Sequence, residues 1–245
     1  MTHLDDAKQA LNQGHLSQCL QACATGLQQQ PEHSRVFRLL AAQAFLRSAD
    51  FPGTRIELAR VVVNTPSDPT LQALAQQLLE ASAGQSGHPI DQALCELCRS
   101  PYSFEPCFTL AKTWAEEGEH DLANQFLDRA LALASLTPAD LEKVVGYCRS
   151  VGQLEKALLA SQWRSQLQPR DFLATLDLTY DAINVCDWRQ YDHLQAALRR
   201  DIERGAMMVG ETALASHGLD ARLQLLCAHR RALVIERDEG GPFAP

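Results

Sequence analysis

The chain has 245 residues, with 22 Lys plus Arg against 30 Asp plus Glu and a formal net charge of −8. That length can bury a real core in one large domain or two modest ones. The charge excludes a whole-chain basic footprint for nucleic acid, and no apolar run nears the roughly 18 residues that cross a bilayer. Ala and Leu number 71 while Val and Ile number 15, which favours helices, because β-branched residues are the usual filling of strands. The opening string, from Met1 to Ala10, has neither a basic n-region nor an apolar h-region. A cytoplasmic protein without a membrane span is therefore expected, and its eight cysteines are expected to remain thiols.

In chain order, the first landmark is Gly14 followed by Cys19 and Pro31. The same punctuation returns with Thr54 and Pro66, stretched by one residue around Phe51-Pro52-Gly53, then with Gly118 and Ala123, and then with Gly152, Ala157 and Pro169. Gly118 to Gly152 and Ala123 to Ala157 both span 34 residues, a period that marks a stacked repeat. The Gly turns the chain where a Cβ would be penalised. The small residue five places on marks a close crossing of two antiparallel helices, and the Pro ends the second helix. Apolar residues at helical spacing fill the first helices: Phe37, Leu40 and Ala44; Cys107, Leu110 and Trp114; Leu141, Val144 and Cys148.

This pattern resembles the tetratricopeptide repeat, which implies an all-α, right-handed helical solenoid of helix–turn–helix units. Repeats are placed at 2–33, 34–68, 69–101, 104–137 and 138–170. The third is degenerate. The composition of its centre, residues 81–90, reads as a flexible linker and a hinge. Its second helix is short, from Ile90 to Arg99.

After the array (1–170) the pattern changes over 171–235, a helical cap or connector, and 236–245 has the composition of a disordered tail. A first helix is expected from Asp171 to Val185. The turn that should come next is replaced by the string Cys186-Asp187-Trp188-Arg189-Gln190-Tyr191-Asp192. A long helix then runs from about Arg189 to Arg204, and a last one from Leu219 to Val234. Cys186-Asp187-Trp188-x-x-Tyr191-Asp192, with Leu214-Ala215-Ser216-His217 further on, resembles the repeat-to-connector junction of O-GlcNAc transferases and their bacterial relatives. That resemblance implies a link to protein glycosylation, either as an accessory scaffold or as the recognition part of a split or truncated glycosyltransferase. The family's two nucleotide-binding lobes have no counterpart in these residues. Its inner asparagine ladder maps onto Leu39, Thr109, Lys143 and Asp177. Cys186, Asp187, Trp188 and Tyr191 are assigned to the structural junction, with Trp188 expected to plug the end of the array.

No residue is assigned to catalysis, a metal or a cofactor. Cys95-x-x-Cys98 lacks a second ligand pair and reads as two small hydrophobes in a helix. The eight histidines show neither HxxxH nor HExxH spacing, and Ser216-His217 lacks an acidic orienter and an oxyanion loop. The candidate binding surface is the inner groove, lined by phase with Arg35, Arg38, Lys112, Lys143, Arg149 and Tyr180. Such a stripe suits an acidic or C-terminal carboxylate peptide. It reads equally as ordinary solvated charge, since Glu105, Glu116 and Glu142 lie alongside. The function expected is a non-catalytic scaffold or adaptor for a protein or peptide.

Overall fold

The computed structural model describes residues 2–64, 69–205 and 221–238. Among them every regular element is helical. Helices α1 (His3–Asn12) and α2 (Leu16–Gln29) form the first hairpin, and a 3₁₀ turn at Pro31–His33 leads into α3 (Ser34–Arg47) and α4 (Phe51–Asn64). Then come α5 (Pro69–Ser86) with α6 (Pro89–Arg99), α7 (Phe104–Glu116) with α8 (His120–Leu131), and α9 (Pro138–Ser150) with α10 (Leu154–Leu167). The last elements are α11 (Phe172–Asn184), α12 (Tyr191–Glu203) and α13 (Ala221–Asp238). Each helix packs on the next within two compact units, Met1–Ser135 and Leu136–Pro245. Sequential packing of helix hairpins makes this an all-α solenoid of stacked pairs.

One turn geometry recurs. The first helix ends with a residue at positive φ, and the next residue returns an N–H to the carbonyl five places back. This bond joins His15 to Ala10 at 2.9 Å, Asp50 to Phe45 at 2.9 Å, Glu119 to Trp114 at 2.9 Å and Gln153 to Cys148 at 2.8 Å. Gly14, Gly118 and Gly152 supply the left-handed residue at φ 75–83°, but in the second hairpin it is Ala49, at φ 59°. The same turn closes α11. Cys186 sits at φ 57° and Asp187 donates to Ala182 O at 2.8 Å. The hairpin turn expected to be replaced after Val185 is therefore present, built on a cysteine, and the repeat period extends to a sixth helix pair.

The sixth pair differs from the others beyond that turn. Three residues separate the helices of the four hairpins α1–α2, α3–α4, α7–α8 and α9–α10, whereas six, 185–190, separate α11 from α12. The fourth residue of the second helix is Cys19, Thr54, Ala123 or Ala157 in those four pairs, all buried. In the sixth it is Leu194, also buried.

The third pair also departs from its expected form. Helix α5 continues through the segment read as a linker and ends only at Ser86, because Ala75, Leu79 and Ser82 recur at helical spacing and all three are buried. The turn is confined to Gly87, at φ 62°, and His88. His88 caps α6 by accepting from Ile90 N–H at 3.3 Å through Nδ1, while its Nε2 lies 3.2 Å from Glu117. Helix α6 is short, as expected, and ends at Arg99.

Arginines close several helix ends. Arg47 donates to Leu11 O at 2.6 Å, at the last turn of α1, and Arg230 donates to Ile202 O at the last turn of α12. Arg129 on α8 reaches two helix ends at once, Val62 O of α4 at 2.6 Å and Pro101 O just past α6 at 2.7 Å. The last carbonyls of a helix have no partner within it and carry the negative end of its dipole, so a guanidinium fits there. Burial lowers the Arg129 pKa from its ordinary value, so these carbonyls hold a cation taken largely out of water.

Candidate binding surface

The sequence-assigned groove residues divide between the two units. In the first, Arg35 donates to Asn64 O at 3.1 Å and Arg38 pairs with Glu57 at 2.9 Å. Lys112 is exposed on α7, its Nζ 6.0 Å from the centre of the Phe108 ring. Two of these three cations are therefore committed to neighbouring helices.

In the second unit Arg149 is the hub of a network. It lies in α9 and pairs with Asp181 at 2.7 Å and Asp177 at 2.9 Å, both on α11. Its guanidinium also stacks over the Tyr180 ring at 4.8 Å. Asp181 is buried and accepts a short bond from Ser161 Oγ of α10 at 2.5 Å. Arg164, also buried, completes the network through Asp177 at 2.6 Å, with Asp171 and Glu142 at 3.4 and 3.5 Å. Burial alone would lower the Arg149 pKa, but its bonds to Asp181 and Asp177 raise it above its ordinary value. Three helices are thereby fixed in register. Lys143 lies on the exposed side of α9, and Tyr180 is 41% exposed above Arg149.

The junction residues are arranged differently from expectation. Trp188 is 55% exposed, so it does not plug an apolar end. Its ring meets Tyr191 edge-on at 5.2 Å. The sixth pair is covered by α13, whose Leu223 and Cys227 pack with Ile202, Phe172 and Leu176. Asp187 caps the extended turn by accepting from Arg189 N–H at 3.2 Å and holds the Arg189 guanidinium at 2.6 and 2.8 Å. These hydrogen bonds pull the Asp187 carboxyl down to about 2.

A cleft of about 530 Å³ lies beside Leu194 in the second unit, a feature that sequence reasoning missed. Its apolar floor is Leu158, Leu178, Ala182 and Leu194, one packed cluster. Polar groups rise around it: Gln162, Ser165 and Gln166 from α10, and Asp187, Arg189 and Gln190 from the extended turn. The available signal was the three-residue surplus between α11 and α12.

Cys95 and Cys98 are both buried, and burial pushes the Cys98 thiol up to about 12. Their environment suits packing rather than nucleophilic or redox chemistry. No group of three His, Cys, Asp or Glu side chains among the described residues is placed to hold a metal. Ser216 and His217 lie outside the described residues. No described helix is long and apolar enough to cross a membrane.

No protein-family model matches the chain, and no curated protein matches it. Among solved structures it is similar to the crystal structure of a tetratricopeptide repeat protein from Parabacteroides merdae ATCC 43184. The identity is 11%, the match covers 99% of this chain and 93% of that one, and the TM-score is 0.32. The class defined by the chain's own geometry is the all-α solenoid of stacked helix hairpins.

Proposed function

We infer that the chain is a non-catalytic scaffold that holds a protein or peptide partner against the exposed faces of its first helices. The observation that carries this reading is the single turn geometry repeated at Gly14, Ala49, Gly118, Gly152 and Cys186. It lays comparable helices side by side and repeats one surface along each unit, the architecture through which solenoids bind extended partners. Arg38 and Arg149 hold the stack together, and Lys112 and Lys143, exposed on α7 and α9, can meet an acidic partner by charge-assisted bonds. The eight cysteines, all free thiols, suit a reducing, cytoplasmic setting.

Charge reversal tests it. Lys112→Glu with Lys143→Glu is expected to weaken capture of a peptide with an acidic C-terminus by at least tenfold, with the helical circular dichroism unchanged. Undiminished capture would remove the first-helix faces from the function.

A finer reading attaches the scaffold to protein glycosylation, or makes it the recognition part of a split glycosyltransferase. It is supported by the resemblance carried by the strings Cys186 to Asp192 and Leu214 to His217. Recovery of a glycosyltransferase or its glycosylated acceptor on the immobilised chain supports it. Recovery of neither from a lysate that contains both rejects it.

A further inference from the structure

We propose that the cleft between α10 and α12 is a second binding site, for a short extended peptide segment that carries no charge and places one aliphatic or aromatic side chain on the apolar floor. The proposal rests on reading the chain as a protein-binding scaffold and adds a site that the first-helix faces do not include.

Three features of the cleft point to this occupant. First, its volume of about 530 Å³ is in the range of ligand pockets, and its floor is apolar. Leu158, Leu178, Ala182 and Leu194 pack together there, so the floor is built and braced before anything binds. Second, the only charged residues that line it among those described, Asp187 and Arg189, hold each other at 2.6 and 2.8 Å. A charged ligand would have to compete with that pair, whereas a neutral one leaves it intact. Third, the remaining polar groups are the carboxamides of Gln162, Gln166 and Gln190 and the hydroxyl of Ser165. Their side chains hydrogen-bond to no described residue.

A carboxamide both donates and accepts, as a peptide unit does, so a row of them pairs with an extended backbone without reading its charge. An apolar side chain between two such peptide units then fills the floor. Specificity comes from that side chain, and main-chain bonds supply the rest, as in other modes of extended-peptide recognition. The surplus residues 188–190 bring Arg189 and Gln190 to the cleft. The lengthened turn thus furnishes one wall of the cleft.

The test uses the full chain and a phage-displayed library of random heptapeptides, with subtraction on the Gln162→Ala, Gln166→Ala double variant. Selected sequences are expected to be uncharged and to share one aliphatic or aromatic position. As synthetic capped peptides they should shift amide resonances of residues 158–166 and 182–194, and bind the double variant at least tenfold more weakly. Replacing the shared side chain by Ala should cost a comparable factor. No enrichment, or selected peptides that bind the double variant equally well, would overturn the proposal. Acidic peptides whose shifts fall around Lys112 or Lys143 would overturn it while leaving the scaffold reading standing. If N-acetylglucosamine shifts the cleft resonances and no peptide does, the occupant is a neutral sugar and the peptide proposal fails.

Discussion

At Gly26 a Cβ would lie 2.2 Å from the Phe37 ring, while at Gly146 a Cβ would meet nothing within 4 Å. Both glycines lie inside helices, where Ala is favoured over Gly by about 1 kcal/mol. Gly146→Ala should therefore stabilise the chain by about that amount. Gly26→Ala should destabilise it by about 1–3 kcal/mol through overpacking. Urea midpoints shifted in opposite directions are the expected result. The left-handed residues give a second pair. Ala49→Gly and Cys186→Gly relieve a conformation that costs an L-residue about 1–2 kcal/mol, and should raise the urea midpoint because both side chains are exposed. Glycine at 14, 118 and 152 announced its turns in the sequence. Ala49 and Cys186 did not, because there the hydrogen bonds of the turn impose the conformation and the residue type gives no sign of it.

Between elements, Asp181 joins α11 to both α9 and α10. It is buried and accepts from Arg149 and Ser161, out of reach of the solvent that could stand in for either. Asp181→Ala should cost about 2 kcal/mol, because it removes the buried acceptor of a charged and a neutral hydrogen bond while Arg149 keeps Asp177. The measurement is the same urea titration, with Ser161→Ala expected to cost about 1 kcal/mol. The Asp187–Arg189 pair offers a pH signature. The folded-state pKa of Asp187 is depressed to about 2, below an ordinary value of about 3.9. Its contribution to holding the turn is therefore complete above about pH 4 and is lost as the pH falls through about 2. A carbon-detected titration of Asp187 should show that midpoint, and Arg189→Gln should return it toward the ordinary value. The helix pairs themselves were legible from the 34-residue period. The ion pairs were not, because Arg38 and Glu57 are 19 positions apart and Arg149 and Asp181 are 32. Nor was the continuation of α5: Gly84 and Ser86 resemble a linker in composition, yet the buried row Ala75, Leu79 and Ser82 carries the helix toward them.

At the scale of the whole molecule, thiol accessibility separates one cysteine from seven. Cys186 is exposed on its turn and the others are buried. A native chain should show one fast thiol toward a disulfide reagent, and seven more only on denaturation. Arg129 bears on how the first unit melts. Stacked repeats ordinarily exchange energy only with immediate neighbours, so they can fray one at a time. The guanidinium of Arg129 ties the fourth pair to the end of α4 in the second and to the chain just past α6 in the third. Loss of the third pair alone would break the bond to Pro101 O and remove the packing that holds Arg129 at Val62 O, so pairs two to four should open as one cooperative block. Hydrogen exchange would show that block as a single protection class, which Arg129→Gln should split into separate steps.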